Sequence, residues 1–470
     1  MQSQQWLVVA EEGAGEKGPR AETAQQWAEQ VCAGYRQLQE NYSSLRASDG
    51  SCPSRPLLLL AEPHSTRFLA ALLAALLADW DVALANPHWG TQEWQAVSQL
   101  IAPDVVWGIN IQLPRHTAAP ARAFSQPAIL IPTGGSSGDV KFIHHTWTSL
   151  MASVDGFCRR FTPNGEAVNT YCVLPLYHVS GLMQILRAWV SGGQVVMASF
   201  KQLELKPLKP LEASALNRKT PQNWFISLVP TQLERLIQAG KSPWLAQFCT
   251  VFLGGAPPWP ALLDLAKHDN IPLCLSYGMT ETAAMVTALD PLAFLQGQIS
   301  SGQALPHAEV QIMNHHQPCG DGEVGQVVVH AASIAYGCAD PFVTDDLGYL
   351  DAAGHLHITG RVSGKIISGG ENIFPAEVEA ALRSTGQVRD VCVLGLPDAL
   401  WGEAVTAAYV PADQHVCATS LQMAIASTLS RYKQPKRWVP LAALPRNAQG
   451  KLNRQQLLAQ IALASEPDQV

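Results

Sequence analysis

The sequence predicts an α/β protein: a large N-terminal α/β unit of parallel sheets with a small antiparallel β subdomain, then a small C-terminal α/β unit. Three observations carry this. Apolar runs of strand length alternate with helix-length runs up to about Gly302, short β-runs joined by turns follow, and a last mixed set of elements begins after Gly360. At 470 residues and 47% hydrophobic, the chain has material for more than one core.

The elements follow in order. PLLLLAE (Pro56 to Glu62) reads as a buried strand, HSTRFLAALLAALLADW as a helix, DVALANP as a second strand, TQEWQAVSQLIA as a second helix and DVVWGIN as a third strand. This βαβαβ rhythm implies a parallel sheet, because parallel neighbours need a crossover long enough to hold a helix. The rhythm returns in TYCVLPL, QVVMAS, NWFISLV, TVFLGG and PLCLSYG. AEVQIM, GEVGQVVVHA and GYLDAAGHLHITG then read as antiparallel strands joined by turns. The C-terminal unit reads as helix FPAEVEAALRSTG, strands VCVLGLP and EAVTAAYVP, helix SLQMAIASTLS and the tail PRNAQGKLNRQQLLAQIALA. A boundary near Arg361 to Gly364 divides the chain into 1–362 and 363–470.

Composition excludes several functions. The net charge of −7, with no Lys/Arg block, argues against nucleic acid and points to small-molecule partners. A few placed cations and backbone N–H groups can still bind an anion locally. The run FLAALLAALLA (Phe68 to Ala78) is about half the length of a membrane span and is closed by Asp79 and Asp81, so it reads as a buried helix. The ten cysteines include no CxxC pair and no zinc-like spacing; they read as reduced core residues. The opening MQSQQWLVVAEEGAGEK lacks the layout of a secretory signal, which makes the cytoplasm the expected location.

One stretch carries chemistry. IPTGGSSGDVKFIHHTW (Ile131 to Trp147) places glycines and serines after a strand, where backbone N–H groups can converge on phosphate while hydroxyls and Lys141 add donors. It is not a Walker loop, which needs Gly-Lys directly before Ser/Thr; here Lys141 stands three residues past Gly138. Taken alone, an ordinary surface turn would account for the same residues.

Further segments remove that ambiguity. Thr133 to Lys141 resembles the TSGSTGxPK loop of the acyl-adenylate-forming superfamily, and the superfamily's later segments appear in order: PLYHVSG (Pro175 to Gly181), LGGAP (Leu253 to Pro257), SYGMTET (Ser276 to Thr282), TDDLGYLD (Thr344 to Asp351), GRVSGKIISGGENIFPAEVE and PRNAQGKLNR. PTGGSSG, the HTW after it, HVSG followed by an arginine, and SGGEN are most similar to the 2-succinylbenzoate–CoA ligases of naphthoquinone (menaquinone and phylloquinone) synthesis. The resemblance implies an AMP-forming ligase using ATP, Mg²⁺ and coenzyme A, with no permanently bound prosthetic group and a mobile C-terminal domain. An adenylating ligase for another aryl or short acyl acid, or a nucleotide-binding module without turnover, remains open here.

The resemblance also implies roles. Thr133, Ser136, Ser137, Gly138 and Lys141 would surround the β and γ phosphates; Gly255, Ala256, Tyr277 and Gly278 would hold adenine, with Tyr277 stacking on it. Asp346 would bind both ribose hydroxyls, a task for a carboxylate with two acceptor oxygens, supported by Arg361. Thr280 would bond the α-phosphate and Glu281 a magnesium ion, which takes one or two carboxylate oxygens beside phosphate and water. His178 would gate the acid and Lys451 would bridge its carboxylate to the α-phosphate; Gly369, Gly370 and Glu371 would line the path of CoA.

Each has a plainer alternative: a helix cap for Thr280 and Glu281, a turn aspartate for Asp346, a core residue for Tyr277 and His178, and an exposed cation for Arg361 and Lys451. Asp345 stands where the superfamily has glycine, Ser363 stands at the hinge position, and Val140 replaces a loop proline. Arg187, six residues after Gly181, is the expected partner for the second carboxylate of 2-succinylbenzoate, since its planar fork binds a carboxylate bidentately; a helix arginine snorkelling to solvent is the alternative.

Overall fold

The computed structural model of the chain describes residues 5–10, 20–49, 55–111, 126–134, 140–205, 223–315, 317–362, 364–368, 371–398, 400–446 and 452–465. The largest sheet has nine strands, in the order Gln303–Ala304, Ala284–Ala288, Leu273–Met279, Thr250–Leu253, Trp224–Leu228, Asn169–Cys172, Val195–Ala198, Gln5–Ala10 and Arg20–Thr23. All pairs between Leu273–Met279 and Gln5–Ala10 are parallel, and antiparallel pairs close both edges. PLYHVSG, LGGAP and SYGMTET lie at or beyond the C-terminal ends of these parallel strands, where ligands of open α/β sheets bind.

A second sheet runs Val105–Trp107, Leu57–Leu60, Asp81–Leu84, Ala128–Gly134, Val140–Thr146, and only its last pair is antiparallel. The helix Ser65–Leu77 packs against it with Phe68 to Ala75 buried. Burying a large apolar side chain is worth roughly 1.5–3 kcal/mol, so the leucines of FLAALLAALLA act as core. No described helix is long and apolar enough to cross a membrane.

The third sheet is antiparallel, ordered Gln317–Pro318, Ala308–Asn314, Gly325–Ala331, Phe342–Leu350, Leu356–Arg361. The last contains Glu371–Ile373, Ile366–Ser368, Gly402–Pro411 and Val388–Asp398, with Arg437–Pro440 parallel to Gly402–Pro411. It has its own hydrophobic cluster, in which Val378 and Leu382 of the helix Pro375–Ser384 meet Ile366, Val391 and Val405.

Two contacts tie this last unit to the rest. Phe374 lies so close to Gly360 that a Cβ there would stand 2.6 Å from its Cδ1. Arg383 donates to Asp390 Oδ1 (3.0 Å) and the Val391 carbonyl (2.9 Å), while its guanidinium lies 5.1 Å from the centre of the Trp259 ring. Arg446 makes two more bonds to Asp390, at 2.7 and 2.9 Å.

The cysteine expectation needs correcting. All nine described cysteines are free thiols, but only Cys172 and Cys274 are buried, and Cys32, Cys249 and Cys417 are exposed. Single cysteines on partly exposed elements carry no periodic signal that reveals which way they face.

Candidate active site

The strand Leu273–Met279 leads into the site. At Gly278 it passes so near its partner strand that a Cβ would stand 2.0 Å from the Ala284 carbonyl oxygen, so only glycine fits. A single 3₁₀ turn, Thr280–Thr282, follows, and then two alanines in the left-handed region, Ala283 at φ 53° and Ala284 at φ 78°. Such non-glycine positions cost of order 1 kcal/mol or more each and persist only when their surroundings impose them.

Here the surroundings do. The Thr280 carbonyl accepts from His145 Nε2 (2.7 Å), Glu281 from the Ala335 N–H (2.8 Å), Thr282 from Ser333 Oγ (2.9 Å), Ala283 from Ser153 Oγ (2.8 Å) and Ala284 from Thr282 Oγ1 (2.8 Å). Five successive carbonyls are held. The Glu281 carboxylate, by contrast, is half-buried and makes no hydrogen bond or ion pair among the described residues. Its charge helps push the nearby Cys338 thiol up, after burial. A fixed, unspent carboxylate fits a magnesium ion that also takes phosphate oxygens.

Asp346 forms a second cluster. Its Oδ2 accepts from the Tyr277 hydroxyl at 2.7 Å and its Oδ1 from Arg361 Nε at 2.8 Å. Asp346 and Arg361 are paired across neighbouring antiparallel strands. Side chains alternate along a strand, so of the Asp-Asp pair Asp346 is buried against Tyr277 and Asp345 is exposed. Burial and the Asp346 charge both push the Tyr277 phenol above its ordinary range, keeping it a donor. Each Asp346 oxygen retains lone pairs for a diol.

Thr133 and Lys141 are partners across the hairpin Ala128–Gly134/Val140–Thr146, with Lys141 exposed. Ser136, Ser137 and Gly138 lie outside the described residues, as do Ser363, Gly369, Gly370 and Lys451. Glu371 opens the strand Glu371–Ile373, which pairs with Ile366–Ser368. Gly255, at φ 82°, and Ala256 are exposed just beyond Thr250–Leu253, the parallel neighbour of the Tyr277 strand. His178 caps the helix Val179–Val190, whose Gly181 could carry no Cβ because one would stand 2.1 Å from the Pro175 carbonyl oxygen.

Bonds thus join the 140–146 strand, the 279–284 turn and the Asp346 strands. Arg187 is not among them. It lies in the last turn of the helix that His178 begins, about 13 Å further along the axis. It is 3% exposed, its guanidinium lies 4.2 Å from the Phe157 ring centre, and Nε and Nη2 have no hydrogen-bond partner among the described residues. Burial lowers its pKa to about 10, so it stays charged at neutral pH. His307 lies nearby with both ring nitrogens buried and without a hydrogen-bond partner among the described residues, and burial, aided by the Arg187 charge, lowers its pKa to about 4.

In the sequence His145 figures only as part of HTW, with no role of its own, and His307 escapes notice: a lone histidine in an apolar stretch is usually a core residue.

Comparison with known proteins agrees with this geometry. The sequence profile of the AMP-binding enzyme family matches residues 102–337, and that of the AMP-binding enzyme C-terminal domain matches 377–451. A 2-succinylbenzoate–CoA ligase of Listeria monocytogenes is 33% identical over 346 residues, covering 71% of this chain and 70% of its own length. The o-succinylbenzoate coenzyme A synthetase of Bacillus subtilis in complex with ATP and magnesium superposes with a TM-score of 0.78 at 24% identity, covering 97% of both chains. A double mutant of that synthetase bound to its product analogue OSB-NCoA gives 0.62 at 25% identity, covering 97% of this chain and 95% of its own. With the first profile matched over half of the chain and the second following it in order, the chain belongs to the family of AMP-binding enzymes.

Proposed function

We propose that the chain is an AMP-forming ligase that converts 2-succinylbenzoate and CoA, with ATP, to 2-succinylbenzoyl-CoA, AMP and pyrophosphate, serving menaquinone or phylloquinone synthesis. The observation that carries it is the Asp346 carboxylate held between Tyr277 and Arg361, next to a clamped turn that offers Thr280 and an unspent Glu281. The acid is suggested by the name of the Listeria relative.

In the first half-reaction a carboxylate oxygen of the acid bonds to the α-phosphorus of ATP as the bond to pyrophosphate breaks. In the second, the CoA sulfur bonds to the acyl carbon and AMP leaves. Asp346 takes the ribose hydroxyls, and its bond to Tyr277 orients that ring so a face remains for adenine beside Gly255, Ala256 and Gly278. Thr133, Ser136, Ser137, Gly138 and Lys141 hold the outer phosphates, Thr280 the α-phosphate, and Glu281 the magnesium ion. When bound, that ion neutralises phosphate charge. His178 stands at the entrance for the acid, and Lys451 aligns its carboxylate. Gly369, Gly370 and Glu371 border the CoA path, and the hinge falls between units 1–362 and 363–470.

The aromatic carboxylate needs a cation, because an unpaired charge in a dry pocket costs several kcal/mol. Arg187, on the helix that His178 begins, has two donors without a hydrogen-bond partner among the described residues, and long helical side chains lean back toward the helix N-terminus.

ATP–pyrophosphate exchange over a panel of carboxylic acids tests the reading. We expect the highest kcat/KM with 2-succinylbenzoate; a better acid would replace it, and exchange with none would remove the ligase. Lys451→Ala should lose adenylation by roughly two to three orders of magnitude yet convert supplied acyl-adenylate to thioester, and Gly370→Trp should do the reverse.

A further inference from the structure

We propose that His145 is a positioning residue for adenylation, holding the Thr280–Glu281 turn in register with the strand that carries Lys141. This rests on the ligase reading above and assigns a role to a side chain that touches no substrate.

His145 is fully buried and faces Ile129 across the hairpin that flanks the glycine-rich loop. Its two nitrogens are both engaged, Nε2 with the Thr280 carbonyl at 2.7 Å and Nδ1 with Ser149 Oγ at 3.0 Å. A carbonyl only accepts, so Nε2 carries a proton directed at Thr280, while the one proton of the Ser149 hydroxyl has both Nδ1 and the Thr146 carbonyl within 3.0 Å. Ser149 is itself fixed, forming a capping box with Thr146 at the start of the helix Trp147–Phe161. The ring is therefore a strut with one orientation.

Its place in the chain gives the strut a purpose. His145 lies four positions beyond Lys141 on one strand, and the carbonyl it grips belongs to Thr280. The neighbouring backbone supports the same link, since the Tyr336 N–H donates to the His144 carbonyl at 2.7 Å while the Ala335 N–H holds Glu281. Without the His145 bond, the strained Ala283–Ala284 corner has one tether fewer, and Thr280 and Glu281 can drift relative to Lys141. A displacement near 1 Å at a reacting centre can lower a rate by about a hundredfold.

Two variants separate positioning from bulk stability. His145→Leu fills the space without a donor; His145→Gln places an amide N–H near the position of Nε2. In ATP–pyrophosphate exchange, His145→Leu should lose roughly tenfold or more in kcat with little change in KM for the acid, and His145→Gln should stay within about threefold of the wild type. Binding of the fluorescent analogue mant-ATP, titrated with and without magnesium, gives a readout apart from turnover: the tightening by magnesium should shrink in His145→Leu and persist in His145→Gln. If His145 acts through the turn, adding His145→Leu to Glu281→Gln costs less than the product of the single losses. Equal losses in the leucine and glutamine variants, or strictly multiplicative losses in the double variant, would overturn the proposal. Should His145→Leu fail to fold, a large loss in folded His145→Gln overturns it and full activity with an intact magnesium effect supports it. Loss in Glu281→Gln with none in His145→Leu sinks this proposal alone, whereas no exchange by the wild type with any acid sinks the ligase reading.

Discussion

Arg361 and Arg187 sit in opposite surroundings. The side chain of Arg361 is 62% exposed, yet its charge is matched by Asp346 at 2.8 Å. Arg187 is enclosed by Phe157 and its neighbours and has no carboxylate bonded to it among the described residues. In the Arg361 pair only the arginine faces solvent, while the Asp346 side chain is 7% exposed, so water screens the pair in part and lowers what it contributes to stability. A buried unpaired cation is costly, and an apolar residue of similar volume often serves a core as well or better. The difference teaches where each charge would be used under the proposed function: Arg361 would shape a carboxylate for the ribose, and Arg187, with no carboxylate bonded to it among the described residues, would take an anion from the substrate.

The largest effect expected from this contrast is at Asp346. Asp346→Asn keeps the shape, leaves Arg361 unmatched and weakens two charge-assisted bonds to the ribose; kcat/KM for ATP in exchange should fall by roughly a hundredfold. A loss confined to protein stability would return Asp346 to the role of a turn residue.

Next comes Arg187. Arg187→Ala should lower kcat/KM for 2-succinylbenzoate by roughly ten- to a hundredfold and barely change residual activity on 4-phenyl-4-oxobutanoate, which lacks the second acid. Arg187→Met should melt no lower than the wild type, because it removes a buried charge without opening a cavity. Equal losses on both acids, or none on either, would take Arg187 out of the pocket and leave it a core residue.

Arg361→Gln should be milder, raising KM for ATP by about threefold to tenfold with kcat nearly unchanged, as suits a supporting cation that solvent partly screens. A kcat effect as large as that of Asp346→Asn would erase the distinction between the two arginines.

The smallest effect is in acid stability. His307 beside Arg187 and the buried His145 have folded pKa values lowered to about 4 from an ordinary 6.5. Between those values the unfolded chain binds more protons, so stability is full above about pH 6.5 and falls as pH drops toward 4. Asp155 and Arg159 also face His307, with opposite effects on its charge. Melting curves from pH 7.5 to 4.5 should show a shallower decline in Arg187→Met, which removes one repulsive neighbour, and an unchanged slope in Arg361→Gln.

Much of this was legible in the sequence because motif and fold constrain each other. The run PLLLLAE becomes the strand Leu57–Leu60, and TDDLGYLD needed only the alternation of a strand to pick Asp346 over Asp345. Less legible were elements without periodic contrast. QWLVVA joins the nine-stranded sheet beside Val195–Ala198, a partner nearly two hundred residues away that no local pattern announces. The helix Ala24–Asp49 is rich in glutamine and alanine, and its apolar stripe is thin. The tether from His145 to Thr280 spans 135 positions and joins a side chain to a backbone carbonyl, a contact that residue identity alone does not specify.

The contact between Arg383 and Trp259 has a spectroscopic consequence. The sequence contains thirteen tryptophans, and Trp259 has a guanidinium from the C-terminal unit 5.1 Å from its ring centre. A cation near an aromatic face polarises the π-electrons, so the resonance of this indole depends on where that unit sits. In protein labelled with 5-fluorotryptophan, the ¹⁹F signal that disappears in Trp259→Phe identifies this ring. A change in its shift on adding ATP, then CoA, would report that Arg383 and its unit move relative to this ring, and a constant shift would report that they stay in place.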